Sequence, residues 1–397
     1  MANSRGPIGV RPPHYLDRVF AEDVRHIGPL SHVQYVGEGA ANVVFTTVLR
    51  SPGGRPNKRD GTEEDVISRY LLRVPKQPKN PDKPFFSAGV QFCYFREMVR
   101  PLFDNQKDLL VDHIMGRVSD DTIANMRNHL KALDVAPPMA PRRPAKFVGD
   151  TIYCTDNLVM LVEDMRPRDG QRTIEFKPKW LAQSPSAPGD ANTCRCCALA
   201  SKKYYDANNL ESEDGSKVKA KSKVEDKGKA KDESKATADT KPKETKYSPD
   251  NYPCPLWLDP QRDTPSGKEA VRRKAIKRLF KNDEHHAHLY SLLKQLPTLS
   301  MLKQNQLNKD PYGPLRARID DANFCMAMTL RDCSLFVRYC EGQDGKVVKE
   351  SFEAKLADLD WKNAAWKFDD WQDKERALVE EGWYTGRGQM KNCALYR

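Results

Sequence analysis

Gly37-Glu38-Gly39-Ala40-Ala41-Asn42 is the stretch that decides the fold, and it stands between two runs with strand character. Residues 32–36 lead into it, and residues 42–49, rich in Val, Phe and Thr, lead away from it, so we predict a strand, a tight turn and a returning strand. Glycines in such a turn let a ligand approach the backbone, because no side chain stands in the way. The turn is a candidate cover for phosphates, although a G-x-G pattern by itself is more often only a tight turn.

A second segment, Leu71-Leu72-Arg73-Val74-Pro75-Lys76, closes the next hydrophobic strand, predicted over residues 66–74. Protein kinases carry a cation on their third strand that holds the α- and β-phosphates of ATP. Arg73 has the corresponding position, and its guanidinium can bind a phosphate through two parallel hydrogen bonds. An ordinary surface arginine at a strand end is the alternative, which the segment by itself favours.

An apolar run, residues 157–163, ends in Glu163-Asp164. A nearly continuous apolar run of this length predicts a buried central strand. A strand of this kind between two lobes can offer backbone groups to an adenine ring, so Glu163 and Asp164 are candidate hinge residues. The alternative, to which we give equal weight, is that these two residues only form the N-terminal flank of the loop at Arg166.

The segment Glu175-Phe176-Lys177-Pro178-Lys179 places two lysines on either side of a proline. Pro178 fixes its own φ angle and pushes Lys177 toward an extended conformation. In an extended chain, residues two apart face the same side. Lys177 and Lys179 are therefore expected to converge on a spot that two adjacent phosphates could occupy, while a solvated basic turn is the alternative.

Two acidic residues, Asp332 and Asp358, follow in segments that border apolar strands. Phosphoryl transfer needs carboxylates that hold magnesium and that orient or deprotonate the attacking hydroxyl. Asp332 could equally be a turn or cap residue. The chain has no His-Arg-Asp catalytic loop, no Asp-Phe-Gly motif and no Walker A motif, which argues against an ordinary protein kinase or P-loop enzyme.

The net charge of the 397-residue chain is +11, and most of it lies outside one low-complexity segment. Residues 211–246 contain eleven lysines, nine acidic residues and almost no apolar surface, so we predict a disordered insertion there. These residues contribute a net charge of only +2, so the rest of the chain carries +9. A basic folded body suits a polyanionic partner, either a nucleic acid or a small polyphosphate.

The ten cysteines are expected to be reduced thiols, because so few in a long chain make no disulfide framework. Cys194 and Cys197 have C-x-x-C spacing, but no second such pair exists. A zinc site would need distant ligands, such as His285, His286 or His288. No apolar run reaches the roughly 20 residues of a membrane helix. We therefore expect an intracellular protein.

The coarse pattern predicts a small β-rich first lobe and a larger mixed second lobe. Besides the strands named above, it predicts helices over 85–113 (with a break near Pro101), 121–133, 268–280, 321–329 and 366–381, and strands over 147–153, 158–163, 173–177 and 333–340.

Taken in order, six segments resemble the successive motifs of the inositol-pentakisphosphate 2-kinase family, in a fungal-type member. They are residues 37–42, 71–76, 175–180, 194–197, 331–336 and 358–362, and the resemblance spans roughly residues 30–385. It implies an α+β, bilobal kinase-like fold with a β-rich N-lobe and a larger mixed C-lobe that carries an inositol-phosphate-binding insertion. The expected division is a loose segment 1–30, an N-lobe 31–163 and a C-lobe 164–397 that contains the disordered insertion 211–246.

The resemblance also implies an activity: ATP- and Mg²⁺-dependent phosphorylation of the 2-hydroxyl of inositol 1,3,4,5,6-pentakisphosphate, which gives the hexakisphosphate, phytate. We expect a monomer in the nucleus or cytoplasm, without a membrane partner. The implied roles are ATP binding for Gly37, Gly39, Ala40, Asn42, Arg73, Glu163 and Asp164, substrate binding for Arg142, Arg143, Lys177, Lys179, Lys203 and Lys362, catalysis for Asp332 with Arg73, and magnesium binding for Asp332 and Asp358.

One departure from the family pattern is Leu199, where relatives have a histidine that faces the substrate. It leaves the inositol phosphate specificity open. It also keeps a second interpretation in view, a weak or inactive kinase-fold protein that binds inositol polyphosphate or RNA. A kinase for another small molecule, such as an aminoglycoside or choline, is disfavoured because Lys177 and Lys179 would repel a cation.

Overall fold

The computed structural model describes residues 24–27, 30–46, 48–49, 69–80, 83, 85–104, 106–137, 142–168, 170–208 and 247–396. The insertion predicted over 211–246 and residues 1–23 of the segment expected to be loose lie outside this part of the chain. Residues 24–26 of that segment form a strand.

Twelve strands and eight α-helices occur within the described residues. The strands are β1 (Val24–His26), β2 (Leu30–His32), β3 (Tyr35–Glu38), β4 (Asn42–Thr46), β5 (Val48–Leu49), β6 (Tyr70–Gln77), β7 (His113–Arg117), β8 (Thr151–Ile152), β9 (Leu158–Glu163), β10 (Gln171–Phe176), β11 (Ser334–Cys340) and β12 (Glu353–Ala357). The helices are α1 (Ala88–Tyr94), α2 (Asp120–Asp134), α3 (Arg195–Asn208), α4 (Glu269–Leu279), α5 (His286–Leu293), α6 (Thr298–Lys309), α7 (Ala322–Leu330) and α8 (Ala364–Glu380).

A seven-stranded sheet contains most of the strands before residue 164. Its order is β1-β7-β9-β6-β4-β3, and β8 pairs with β6 beside this path. Only β1 and β7 run parallel among these pairs. The central strand β9 buries Val159, Met160 and Leu161, which confirms the prediction of a buried strand in this apolar run.

A three-stranded antiparallel sheet, in the order β10-β11-β12, lies in the second half of the chain. It shares a large apolar core with the later helices, and this core contains the fully buried Trp257, Phe280 and Tyr339. A separate core, which includes Phe45 and Leu72, belongs to the seven-stranded sheet. The mixed α+β class is therefore confirmed.

Two local predictions need correction. The helix expected over 85–113 is much shorter: α1 ends at Tyr94, a π turn and a 3₁₀ turn follow, and the left-handed Asp104 (φ 51°) ends this run. Pro101 lies in the first turn of the 3₁₀ segment. Its ring nitrogen carries no N–H, so it cannot donate the hydrogen bond that would continue an α-helix. The strand expected over 147–153 is only two residues long, and a 3₁₀ turn precedes it.

The helix predicted over 121–133 is confirmed as α2, which Ser119 caps by accepting a hydrogen bond from the N–H of Thr122 at 3.2 Å. None of the described helices is both long and apolar enough to cross a membrane.

Candidate active site

The ends of three adjacent strands meet at one edge of the three-stranded sheet. Lys177 directly follows β10, Asp332 comes two residues before β11, and Asp358 directly follows β12. The antiparallel register pairs Phe176 with Leu335 and Ser334 with Ala357. Since the end of one strand lies beside the start of its antiparallel neighbour, all three side chains reach the same edge.

Three lysines surround the carboxylate of Asp332, and we call this group the lysine cluster (Lys177, Lys179 and Lys362 around Asp332). Nζ of Lys179 lies 2.9 Å from Oδ1 of Asp332, and Nζ of Lys362 lies 3.1 Å from Oδ2. Nζ of Lys177 lies 3.5 Å from Oδ1 of Asp332 and 3.0 Å from Oδ2 of Asp358. The cluster joins three separate chain segments around one negative charge.

These charges shift each other's proton affinity. Burial would raise the pKa of Asp332, but the three ammonium groups, led by that of Lys362, outweigh it and hold the pKa well below its usual range. Burial works against the charge of Lys177, yet Asp358 and Asp332 outweigh it and raise the pKa of this lysine. Both partners are therefore fully charged near neutral pH.

The backbone that brings the two lysines together differs from the prediction. Lys179 has φ 58°, a left-handed conformation, so the segment is not extended through both lysines. The two ammonium groups nevertheless converge on the same oxygen, Oδ1 of Asp332. Asp358 is also left-handed, with φ 56°. Such conformations cost free energy in non-glycine residues and concentrate at functional sites.

Arg73 on β6 connects the seven-stranded sheet to this edge. Its Nη2 lies 3.3 Å from Oδ1 of Asp358 and also donates a hydrogen bond to Oδ2 of Asp360. Nδ2 of Asn42 donates to Oδ2 of Asp360 at 3.0 Å. Burial raises the pKa of Asp360, and the Asp358 carboxylate adds to the shift, whereas Arg73 opposes it.

Asp360 is the residue that sequence reasoning missed. The only available signal was its place in Asp358-Leu359-Asp360, because residues two positions apart in an extended chain lie on the same side. The expectation that Asn42 donates to phosphates stays a prediction, and in the structure its amide nitrogen donates one hydrogen bond to Asp360. Its Oδ1 is buried and has no hydrogen-bond partner among the described residues.

A cavity of about 390 Å³ opens beside Arg73 and Lys177. This volume lies in the range of small-molecule sites. Apolar residues supply one part of its lining, and Arg73, Lys177 and Asp358 lie in another. The apolar lining consists of Val36, Val44, Leu71, Val111, Val162, Met165, Phe336 and Ala357. The cavity therefore offers apolar walls for a flat ring together with cations for negative groups.

The glycine turn borders the cavity through Gly37. It is closed by a hydrogen bond of 2.9 Å from the N–H of Gly39 to the carbonyl of Asn42, with Ala40 between them. A Cβ atom added at Gly37 or Gly39 would meet no protein atom within 4 Å. Packing does not require glycine at these positions, which leaves open access as the physical reason for it.

Glu38 anchors the same turn in what we call the buried charge network (Glu38, Lys76, Arg143 and Asp150). Nζ of Lys76 lies 3.0 Å from Glu38 and 3.2 Å from Asp150, and Arg143 donates to Glu38 at 2.8 and 2.9 Å. Arg143 also donates to Asp134 at 3.0 Å. The guanidinium of Arg143 is buried among these acceptors, and substrate binding by Arg143 stays a prediction.

The two candidate hinge residues are also held by the protein. Glu163 lines the cavity, and its carboxylate accepts from Nζ of Lys355 at 2.6 and 2.9 Å. Asp164 accepts hydrogen bonds from the side chain of Arg166, the shortest at 2.8 Å. Both side chains are thus engaged in ion pairs, and any hydrogen bond to an adenine ring would come from the backbone of these residues.

Two other candidate substrate residues lie apart from the lysine cluster. Arg142 is exposed and donates to the carbonyl of Pro137 at 3.1 Å. Lys203, on α3, holds its ammonium 5.1 Å from the ring centre of Tyr247. No contact within the described part of the chain joins either residue to Asp332.

The chain matches a known protein family over most of its length. The family model described as inositol-pentakisphosphate 2-kinase matches residues 35–313 and 283–377. The chain belongs to this family. The inositol-pentakisphosphate 2-kinase of Yarrowia lipolytica is 29% identical over an alignment of 235 residues that covers 56% of this chain and 56% of that protein. The chain thus matches little more than half the length of this relative.

Membership in the inositol-pentakisphosphate 2-kinase family confirms the resemblance inferred from the six segments. The matched ranges contain Arg73, Lys177, Asp332 and Asp358, the four residues that link the two sheets at the site.

Proposed function

We propose that the chain transfers the γ-phosphoryl group of ATP to the 2-hydroxyl of inositol 1,3,4,5,6-pentakisphosphate and releases the hexakisphosphate. The observation that carries this proposal is the lysine cluster beside a cavity of about 390 Å³. Three ammonium groups around one half-exposed carboxylate suit a ligand that brings several negative charges. The family membership of the chain supports the same substrate.

In this proposal the nucleotide occupies the cavity. The adenine ring lies between the apolar walls, beside Glu163, and the phosphates extend toward Arg73 and Lys177. The open space above Gly37 and Gly39 lets the backbone N–H groups of the turn approach the phosphates. Catalysis then depends mostly on positioning and charge stabilisation, as expected for phosphoryl transfer.

The inositol substrate displaces the lysines from Asp332. Ring phosphates compete for Lys177, Lys179 and Lys362, whose present partners are the half-exposed carboxylates of Asp332 and Asp358. As the ammonium groups turn to the phosphates, the pKa of Asp332 rises toward its usual range. Asp332 then accepts a hydrogen bond, and finally the proton, from the attacking hydroxyl.

Magnesium fits the same acidic residues. Asp332 and Asp358 both contact Nζ of Lys177, so their oxygens lie at one spot. Mg²⁺ prefers oxygen ligands and commonly uses one or two carboxylates together with substrate phosphates. Bound there by Asp358 and Asp332, the ion would neutralise negative charge on the β- and γ-phosphates.

The proposed division into an N-lobe (31–163) and a C-lobe (164–397) is supported by the separate core of the seven-stranded sheet, while the larger core also takes in Tyr94, Phe103 and Leu110 from the first range. Arg73 comes from the first and binds Asp358 and Asp360 of the second. An intracellular location is part of the proposal, supported by ten free cysteines, since reducing compartments keep thiols unpaired.

Leu199 favours one alternative, a protein that binds inositol polyphosphate without turnover. Its side chain packs against an apolar cluster formed by Ala198, Leu378, Trp383 and Tyr384. The position therefore offers no polar group to a phosphate.

Incubation with ATP, Mg²⁺ and inositol pentakisphosphate, followed by anion-exchange chromatography, tests the proposal. We expect a hexakisphosphate peak that Asp332→Ala reduces by about 10²–10⁴-fold, because a positioned base contributes that much. ATP binding, measured by calorimetry, should persist in the variant.

Near-normal turnover in Asp332→Ala would remove this residue from the catalytic role. Binding of inositol pentakisphosphate without product would support the alternative, and salt-sensitive binding of RNA alone would favour a nucleic-acid partner.

A further inference from the structure

The side chain of Gln306, on α6, lies between the two chain segments that carry Lys179 and Asp332. Gln306 is 2% exposed. Its Nε2 donates to the carbonyl of Lys179 at 2.8 Å and to the carbonyl of Leu330 at 3.1 Å, and its Oε1 accepts from the N–H of Leu181 at 3.0 Å. One buried amide therefore joins two segments that are distant in sequence.

The three backbone partners fix the orientation of this amide. Two carbonyl oxygens require donors and one N–H requires an acceptor, and a carboxamide offers two N–H donors and an acceptor oxygen on one planar group. A carboxylate lacks the donors, and an aliphatic side chain lacks both kinds of group. Gln306 thus satisfies all three backbone groups at once.

The segment after β10 depends on these hydrogen bonds for its shape. The ladder between β10 and β11 ends at the pair of Phe176 and Leu335, and the segment from Lys179 onward lies beyond it. The hydrogen bonds from Gln306 hold the peptide planes on both sides of Trp180. Lys179 is left-handed, with φ 58°, and such a conformation persists only where surrounding contacts enforce it.

The same amide supports the helix end that leads to Asp332. Leu330 is the last residue of α7, where backbone carbonyls have no partner within the helix. Nε2 of Gln306 supplies a donor to this carbonyl. Nη2 of Arg331 donates to the backbone carbonyl of Gln306 at 3.4 Å, and Nη1 of Arg331 lies 2.5 Å from Asp310. Asp332 therefore follows a helix end that α6 holds at two points.

The ring of Trp180 ties the two segments together a second time. The guanidinium of Arg331 lies 3.5 Å from the ring centre, and that of Arg195 lies 4.3 Å from it. Cations are attracted to the face of an indole ring, most strongly where water is excluded, and Trp180 is 5% exposed. Since Trp180 adjoins Lys179 and Arg331 adjoins Asp332, the lysine and the aspartate share one buried support.

We propose that Gln306 is a positioning residue of the phosphoryl transfer, a role that rests on the function proposed above. Because its side chain is buried, it acts through Lys179 and Asp332. Its amide sets the place of the Lys179 ammonium group relative to the Asp332 carboxylate, 2.9 Å apart in the structure. That separation determines whether a ring whose phosphate binds Lys179 presents its hydroxyl to Asp332. A misplacement of about 1 Å far from the chemistry can cost about 100-fold in rate.

Steady-state kinetics of the full chain with Gln306→Met test this role, since methionine has a similar length and no N–H donor. We expect the KM for inositol pentakisphosphate to rise about 10-fold, because the hydrogen bond from Lys179 to a phosphate is weakened. The KM for ATP should not change, since none of the described residues that bond to Gln306 lines the cavity. Gln304→Met, at an exposed position of α6, is the matched control and should leave both constants unchanged.

A purely structural role predicts a different result. Loss of folded enzyme would lower kcat and leave both KM values unchanged, and this outcome would overturn the proposal. A double-mutant cycle adds a second criterion. In the Lys179→Ala background, Gln306→Met should change the affinity for inositol pentakisphosphate by less than about 2-fold by calorimetry. Additive losses would show that Gln306 does not act through Lys179.

Gln306→Asn serves if Gln306→Met does not fold. Its amide is one methylene shorter and does not reach all three backbone groups, so the KM for inositol pentakisphosphate should rise about 3-fold. Wild-type turnover with an unchanged KM in the variants would remove the role of Gln306 alone. Wild-type protein that neither binds nor phosphorylates inositol pentakisphosphate would refute the proposed function, and this inference with it.

Discussion

The buried charge network and the lysine cluster are built from the same kinds of residue, yet they differ in access to water. The side chains of Lys76 and Glu38 are 0% exposed, whereas those of Lys177, Lys179 and Asp332 are 34%, 37% and 45% exposed. In water an ion pair is worth only about 0–1 kcal/mol, so a ligand can replace one partner easily. In the core, removal of one partner leaves an uncompensated charge.

Exposure therefore separates a structural role from a binding role better than residue type does. Burial would raise the pKa of Glu38, but Arg143 and Lys76 outweigh it and lower the pKa, so this residue stays charged and fixes the glycine turn. The lysine cluster holds its charges where a polyanion can reach them. Three experiments, in order of decreasing effect, probe this difference.

The largest effect is expected for Lys76→Met in the buried charge network. The substitution leaves Glu38 and Asp150 without their shared ammonium group and should lower the free energy of unfolding by about 3–5 kcal/mol, measured by urea denaturation. Lys79→Met is the matched control, because this exposed neighbour should change stability by less than about 0.5 kcal/mol. Equal losses in both variants would contradict the assignment.

Lys179→Ala in the lysine cluster should weaken ligand binding and leave stability nearly unchanged. A lost charge-assisted hydrogen bond to a phosphate costs about 1.5–3 kcal/mol, so the affinity for inositol pentakisphosphate should fall about 10- to 100-fold by calorimetry. The melting temperature should barely change, since a half-exposed ion pair contributes little. Lys346→Ala, at another exposed ion pair, serves as the control. A large loss of stability with unchanged affinity would reverse the interpretation.

The effect that is smallest at neutral pH concerns His113, whose ring packs on Phe95 at 4.0 Å between ring centres. Burial, and then the charge of Arg73, lowers its pKa to about 4. The unfolded chain protonates this histidine near pH 6.5, so stability should decrease as the pH falls from about 6.5 to 4. In His113→Asn this component of the pH dependence should disappear, whereas the exposed His288→Asn should retain it. Melting curves across this pH range provide the measurement, and identical profiles for both variants would refute the prediction.

Local patterns were sufficient for several strands and for many of the residues that meet at the candidate site. The apolar run of β9, the helix α2 and the glycine turn could be predicted because each depends on neighbouring residues. The contact of Asp360 with Arg73 and the ion pair of Arg143 with Glu38 could not be predicted, since each joins residues more than a hundred positions apart. The left-handed Lys179 shows a similar limit: contacts of the folded chain selected a conformation that local preference disfavours.

The register of the three-stranded sheet also has a practical consequence for labelling. The turn between β11 and β12, residues 342–345, lies at the end of the ribbon opposite Asp332 and Asp358. Seven residues of β11 separate the two ends, a distance of roughly 20 Å. A fluorophore or an affinity tag attached to this turn would stand clear of the phosphate-binding edge. The insertion or deletion of one residue inside β11 would disturb that edge, because it would turn the side chains of the strand to the opposite face.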